Sequence, residues 1–171
     1  GQHLVLAVEG PPRGKTYVTT EEARAALRAA SSAVRLEALS FLRQRAAAEG
    51  GWKRIVVPFF RNVWPRERQF QTGGTSRSLV LFLEELGQRF PDGVALVSDF
   101  LVSSPDTDVF VFQFGSDAQH GHADLTKQYP QETLTLLDKI IDETSRPPYG
   151  LAEVVTRLAE KVSEHFVGRE A

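Results

Sequence analysis

The stretch SRSLVLFLEELGQRF, from Ser76 to Phe90, constrains the fold of this 171-residue chain more than any other segment. Its apolar residues stand at offsets 0, 3, 4, 7 and 11, at Leu79, Phe82, Leu83, Leu86 and Phe90. This spacing places them on one face of an α-helix, whereas a half-buried strand would alternate every second residue. We therefore predict an amphipathic helix that needs other helices to cover its apolar face.

The region before this helix also carries helical periodicity. Thr19 and Glu22 have the spacing of a capping box, so we predict that a helix begins there. It is either one long helix or one broken near Ser31-Ser32, and Gly50-Gly51 ends it. A second helix is predicted over 52–63, with a kink or two short pieces at Pro58, because proline lacks the amide proton of a helix interior.

Three further helices are predicted in the second half of the chain. The first two begin at Pro91 and Pro130, since proline suits the first helical turn. The third begins at Leu151. Residues 107–114 are ambiguous, because alternating valine and phenylalanine are equally compatible with a strand.

Two segments that begin with an aromatic residue and a proline align at an offset of 39 residues. Phe90 then matches Tyr129 and Pro91 matches Pro130, while Leu101 matches Ile140. A period near 40 residues is typical of two-helix repeats of the HEAT and armadillo type. Such repeats bury their apolar faces by stacking and leave a curved surface for a partner.

These patterns predict an all-α fold of antiparallel helix pairs, stacked as a short HEAT-like superhelix over residues 19–171. Residues 1–18 are predicted to be an N-terminal extension, or the remnant of a preceding domain, with room for a short β element. The predicted core consists of apolar helix positions: Leu27, Val34, Leu39, Leu79, Leu83, Leu86, Val94, Leu101, Leu134, Leu137, Ile141, Val155, Leu158 and Val162.

Three of these segments also resemble a known kind of domain. PFFRNVWP, RFPDGVALVSDFL and QYPQETLTLLDKIIDETSRPPYGLAEVV are similar to a C-terminal helical, HEAT-like domain of large bacterial multidomain proteins. Those proteins carry sirtuin-like or nucleotide-hydrolase modules upstream, and several are linked to defence against phage. The resemblance covers residues 52–171 and contains no catalytic motif. It implies a role in sensing, scaffolding or oligomerisation within a larger protein.

The composition narrows the classes of function. The net charge is −2, which gives no general attraction to nucleic acid or anionic lipid. The chain has no cysteine, which excludes thiol catalysis and fits a cytoplasmic location, and it has no run of transmembrane length. It also lacks methionine, even at position 1, so we expect a piece of a longer protein. We predict a non-enzymatic domain without cofactor or metal, whose partners are proteins or other parts of the parent chain.

The N-terminal stretch imitates a phosphate-binding loop, and nucleotide binding is therefore the alternative function. Such a loop needs four residues between its glycines, followed by lysine and a hydroxyl residue at the start of a helix. Here Gly10 and Gly14 enclose only three residues, before Lys15 and Thr16. The alternative site would consist of Gly14, Lys15 and Thr16.

A short histidine cluster is a candidate metal site. His120, His122 and Asp124 have suitable spacing, but a metal site needs further ligands and the chain has few other histidines. A polar loop is therefore the favoured interpretation. The paired acids Glu84 and Glu85 are expected on a solvated helix face rather than in acid-base catalysis.

The segment RNVWPRERQ contains the best candidate for a partner-binding surface. Arg61, Arg66 and Arg68 flank Trp64, and arginine and tryptophan are favoured in protein interfaces. The alternative is that Trp64 packs in the core while the arginines solubilise a loop. Both interpretations stay open at this point.

Overall fold

The computed structural model describes residues 19–103, 125–141 and 151–167. All regular elements within these ranges are helical, which confirms the predicted all-α class for this part of the chain. Its α-helices are α1 (Thr20–Ala29), α2 (Ser32–Ala47), α3 (Val57–Asn62), α4 (Gly73–Glu84), α5 (Phe90–Val97), α6 (Leu125–Gln128), α7 (Pro130–Ile140) and α8 (Leu151–Val167). The predicted β element in 1–18 and the ambiguous segment 107–114 lie outside these ranges.

The chain divides into two compact units, residues 1–82 and 83–171, which are described separately. In the first unit, the predicted capping box forms at the start of α1. The Thr19 amide donates to Glu22 Oε2 at 2.7 Å, and the Glu22 amide donates to Thr19 Oγ1 at 3.2 Å. Ser31 caps α2 in turn by accepting from the Val34 amide. The predicted long helix is therefore two helices, and the break near Ser31 is confirmed.

The glycine pair after α2 ends that helix as predicted. Gly50 has φ +67°, a conformation that glycine adopts without steric cost. Gly51 is required for a different reason, since a Cβ on it would lie 1.9 Å from the carbonyl oxygen of Arg45. The backbone of the turn thus passes too close to α2 for any side chain at this position.

The winding of the helix changes immediately before Pro58. Residues 52–56 form a π-helical turn, in which the Val57 amide donates to the Trp52 carbonyl five residues earlier. Pro58 then falls in the first turn of α3, where its missing amide proton leaves no helical hydrogen bond unmade. The predicted change at Pro58 therefore takes the form of a change in winding, while the helical backbone continues without a break through Asn62.

An aromatic cluster forms the core of the first unit. The Trp64 ring lies 5.3 Å from Phe60, 6.3 Å from Phe59 and 5.8 Å from Phe70, between ring centroids. Phe82 adds a further ring 5.5 Å from Phe60. Inclined ring pairs at such distances stabilise a core beyond the burial of their area. This cluster fixes the end of α3 and the chain that follows it.

In the second unit, the helices α5, α6 and α8 all contact α7. α5 begins at Phe90, which was predicted to belong to the preceding helix. The reason is Gly87, whose φ of +56° ends the earlier helical path and starts a short 3-10 turn over Gly87–Arg89. Proline at position 91 then lies in the first turn of α5, as predicted.

Most of the predicted core is confirmed. The correctly predicted buried residues are Leu27, Leu39, Leu79, Leu83, Leu86, Val94, Leu101, Leu137 and Leu158. The half-buried ones are Val34, Ile141 and Val162. The prediction of burial was wrong for Leu134 and Val155, whose side chains are 42% and 41% exposed.

The error at Leu134 comes from a polar residue on the buried face of α7. Thr133 is completely buried, and its hydroxyl donates to the carbonyls of Tyr129 at 2.8 Å and Leu125 at 3.2 Å. A threonine whose hydrogen bonds are satisfied can be buried at little cost. The buried face therefore runs through Thr133, Leu136 and Ile140, one position away from the stripe read from the apolar residues alone.

Candidate functional site

A cavity of about 380 Å³ lies in the first unit. Its lining residues are Arg24, Arg61, Trp64, Arg66 and Glu67, and we call it the arginine cavity. Three of them, Arg61, Trp64 and Arg66, were candidates from the sequence. Arg68, the fourth candidate, is exposed and does not line the cavity.

Arg24 reaches the cavity from α1 and ties that helix to the end of α3. Its Nη2 donates to the carbonyl of Asn62 at 2.5 Å, and its Nη1 donates to Glu21 Oε2 at 2.7 Å. The last carbonyls of a helix have no partner within the helix and carry partial negative charge. The Arg24 guanidinium satisfies one of them and is held in a defined position.

The two carboxylate oxygens of Glu67 have different hydrogen-bonding surroundings. Oε1 accepts a hydrogen bond from Arg28 Nη2, and this contact is the largest cause of the lowered pKa of Glu67. Oε2 is buried and has no hydrogen-bond partner. Because its pKa is held low, the carboxylate is ionised at neutral pH and acts only as an acceptor.

Trp64 lies in the core, as the alternative interpretation of this residue predicted. Its side chain is 1% exposed and packs against the phenylalanine rings of the aromatic cluster. Its indole Nε1 is buried without a hydrogen-bond partner. A buried tryptophan N–H usually has a partner, so this donor calls for an explanation.

Most of the described side chains that line the arginine cavity are positively charged. Arg24, Arg61 and Arg66 carry guanidiniums, and Glu67 carries a carboxylate. Arg24 pairs with Glu21, and Arg28 pairs with both Glu21 and Glu67 beside the cavity.

Arg61 is the exposed one of these arginines without a partner. Within the described part of the chain, its guanidinium makes no ion pair or hydrogen bond. Arg66 donates from Nη2 to the Arg61 carbonyl at 3.4 Å, which joins the Arg66 side chain to the end of α3. An exposed guanidinium such as that of Arg61 is suited to binding an oxyanion.

Sequence reasoning missed Arg24 and Glu67. Arg24 stands 38 residues before Asn62, and no local pattern indicates that α1 meets the end of α3. Glu67 lies in the segment RERQ, but a single acid between two arginines carries no local signal of a binding role. The pairing of Arg28 with Glu67 could not be predicted from a local pattern either, because it joins residues 39 positions apart.

Other candidate sites have different outcomes. Gly14, Lys15 and Thr16 lie outside the described residues, and so do His120, His122 and Asp124, so these predictions stay predictions. Glu84 was expected on a solvated face, which was wrong. Its side chain is half-buried, its Oε1 is buried without a hydrogen-bond partner, and burial together with the charge of Glu85 raises its pKa to about 7.

The chain was compared with known proteins. It is 24% identical over 147 residues to the uncharacterized protein y4cA of Sinorhizobium fredii. The match covers 79% of this chain and 12% of that protein, so the chain spans a small part of the relative's length. No protein-family model matches the sequence. No solved structure matches it either. Among the helices described, none has the length and apolar character needed to cross a membrane.

Proposed function

We propose that this chain is a non-catalytic protein-interaction domain of a larger bacterial protein, and that the arginine cavity is its contact surface for a partner. The observation that carries the proposal is the exposed, unpaired guanidinium of Arg61 on the wall of a cavity in which Trp64 and Arg24 are held by their neighbours. Arginine and tryptophan that are held in place before binding lose little conformational entropy on association.

The resemblance of residues 52–171 to a helical domain of large bacterial multidomain proteins, several of them linked to defence against phage, supports a role within a multidomain parent. The match to 12% of a much longer bacterial protein agrees with such an arrangement. The proposal includes a role for this domain as a scaffold or sensor within its parent protein.

We also propose that the helices of the chain are stacked in the manner of HEAT repeats. The support is that α5 and α7 start in the same way, with an aromatic residue followed by proline, at the offset of 39 residues found in the sequence. Repeats of this kind present extended surfaces to partner proteins.

Charge reversal in the cavity tests the proposed function. The chain and its variants are immobilised and exposed to the proteins of the source bacterium, and retained proteins are identified with their cross-linked positions by mass spectrometry. We expect a partner that is retained by the wild type and lost on the double substitution Arg61→Glu with Arg66→Glu. Reversing two charges at an interface replaces attraction with repulsion.

Arg68→Glu is the matched control for this experiment. It makes the same type of charge change a few residues away, at an exposed position outside the cavity. The control should retain the partner and cross-link it near the cavity. The proposal fails if the wild-type chain shows neither self-association nor a partner, or if both reversals weaken binding equally.

A further inference from the structure

We infer that the partner received at the arginine cavity is a second copy of this chain, which contributes the exposed face of its α7, with Asp138 against Arg61 and Leu134 beside that pair. This inference rests on the proposed function and names the partner. Its support comes from the charges of the two units, from exposed groups that lack a partner, and from the form of the two surfaces.

The two compact units carry opposite net charges. Residues 1–82 contain 13 lysines and arginines and six aspartates and glutamates, whereas residues 83–171 contain seven and 16. The formal charges are therefore +7 and −9 in a chain whose total is −2. Surfaces of opposite charge on two molecules attract each other over a Debye length, about 10 Å at 0.1 M salt. The basic unit of one copy is thus complementary to the acidic unit of another.

Arg61 supplies the positive group on the basic side of the contact. It is exposed on the wall of the arginine cavity, and among the described residues its guanidinium has no ion pair or hydrogen bond. A guanidinium presents parallel N–H donors that match the two oxygens of a carboxylate. The Arg61 side chain can therefore take a carboxylate from another molecule.

The outer face of α7 offers such a carboxylate beside an apolar side chain. Leu134 and Asp138 are four residues apart in this helix and both are exposed, so they lie next to each other on one face. Within the described part of the chain, Asp138 has no ion pair or hydrogen bond from its side chain. Lys139 is also exposed, but it stands about 100° further round the helix. The face thus presents a leucine and an unpaired carboxylate together.

The two surfaces are complementary in form and polarity. The face of a helix is convex, whereas the arginine cavity is a concave space between side chains that include Arg24, Arg61 and Arg66. Arginine covers apolar groups with its methylene stem while its guanidinium binds polar ones. Leu134 of a second copy can then pack on these stems while its Asp138 pairs with Arg61.

A second copy satisfies the charges of the chain better than a nucleic acid does. Phosphates would be attracted to the basic unit but repelled by the net charge of −9 on residues 83–171. Each copy of this chain carries both surfaces, so association between unlike surfaces compensates the basic unit of one molecule and the acidic unit of the other.

Sedimentation of the complete 171-residue chain tests the inference. We expect the mean mass to rise with protein concentration in low salt and to return to that of one chain near 1 M salt, where the Debye length is about 3 Å. Arg61→Gln and Asp138→Asn should each weaken self-association about tenfold or more, because a hydrogen bond between charged groups is lost. Leu134→Ser removes the apolar contact and should weaken it about threefold or more.

Each unit supplies a matched control. Arg68→Gln removes an exposed positive charge from the first unit, outside the cavity, and Asp99→Asn removes an exposed negative charge from the second unit, outside α7. Both controls should associate like the wild type. Thermal unfolding establishes that each variant is folded before it is compared.

A charge exchange distinguishes a direct contact from an indirect effect on folding. Arg61→Asp and Asp138→Arg should each remain monomeric alone, because each brings like charges together at the contact. Mixed one to one, the two variants should associate again. The new carboxylate at position 61 of one variant then meets the new guanidinium at position 138 of the other, and the original pair forms in the reverse combination.

Five outcomes would overturn the inference. It is wrong if the wild-type chain stays monomeric in low salt, if Leu134→Ser associates like the wild type, if a control weakens association as much as Arg61→Gln, or if the mixed variants do not associate. It is also wrong if a duplex oligonucleotide binds through Arg61 while the chain remains monomeric. If the chain is monomeric and a different protein depends on Arg61 and Arg66, the inference falls and the proposed function stands. If that dependence is also absent, both are rejected.

Discussion

The rings of Phe90 and Tyr129 lie 5.7 Å apart between centroids and are inclined by 31°. Each residue immediately precedes the proline in the first turn of its helix, α5 or α7, and the two stand at positions that the sequence aligns at an offset of 39 residues. The contact therefore brings together, within the second unit, the starts of two helices that begin in the same way.

A double-mutant cycle on this pair measures the contact. Phe90 is completely buried, so Phe90→Ala should lower the free energy of unfolding by about 3–5 kcal/mol. Tyr129 is half-buried and its replacement by alanine should cost less. We expect the double variant to be more stable than the sum of the two losses predicts, by about 0.5–1.5 kcal/mol. Urea unfolding gives these values, and strictly additive losses would show that the rings do not interact.

Two glycine substitutions should change stability in opposite directions. Gly51→Ala places a Cβ 1.9 Å from the Arg45 carbonyl oxygen, so the turn must move and the free energy of unfolding should fall by about 1–3 kcal/mol. Gly74→Ala lies in the first turn of α4 and meets nothing closer than 3.9 Å, so it should raise that free energy by about 0.5 kcal/mol. Chemical denaturation compares them. Similar losses at both positions would contradict the close approach at Gly51.

Glu84 should make the stability of the protein depend on pH. Its pKa is raised from 4.5 to about 7 by burial and by the neighbouring charge of Glu85. The folded state therefore holds a proton that the unfolded state has released between these pH values. Glu84 thus contributes its full stability below pH 4.5, and this contribution is lost as pH rises towards 7, by up to about 3 kcal/mol.

Glu84→Gln removes the titrating group and keeps its size. The difference in unfolding free energy between wild type and Glu84→Gln should change steadily from pH 4.5 to pH 7 and then level off. Glu85→Gln is the control, and it should keep most of the pH dependence because burial is the larger cause of the shift. A wild-type minus Glu84→Gln difference that is constant with pH would show that Glu84 titrates normally.

Nucleotides with magnesium should leave the melting temperature unchanged. The glycine spacing before Lys15 is one residue too short for a phosphate-binding loop. A ligand that binds only the folded state must raise its stability, so thermal unfolding with ATP and with GTP is a direct test. An upward shift that Lys15→Ala abolishes would instead establish the alternative function.

Local signals in the sequence predicted the helices well. The capping box at Thr19 and Glu22, the glycines at 50 and 51, and the proline at 91 each act within one or two turns of the chain. Their effect depends on hydrogen bonds and dihedral angles of nearby residues, and these are visible in the order of residues. The starts of α5 and α7 were predicted for the same reason, because each helix has a proline in its first turn.

Features that depend on distant residues were not predictable in this way. Arg24 and Glu67 became part of the candidate site through contacts that span about 40 residues. Glu84 was expected in solvent since a carboxylate beside another acid is normally exposed, and its burial depends on the packing around α4.

The buried side of α7 was misjudged for a local reason. Thr133 donates to carbonyls four and eight residues earlier, so a polar residue is buried where the apolar pattern predicted none.

The π-helical turn at residues 52–56 is a place where the chain can change its length without moving Arg61. A π-turn accommodates one residue more than an α-turn within about the same rotation, so removing one residue from it should restore ordinary winding and leave the following helix in place. The same deletion within α3, before Arg61, would instead turn Arg61 by about 100° around the helix axis and take it away from the cavity. Natural relatives are therefore expected to differ in length by one residue at 52–56 rather than within α3.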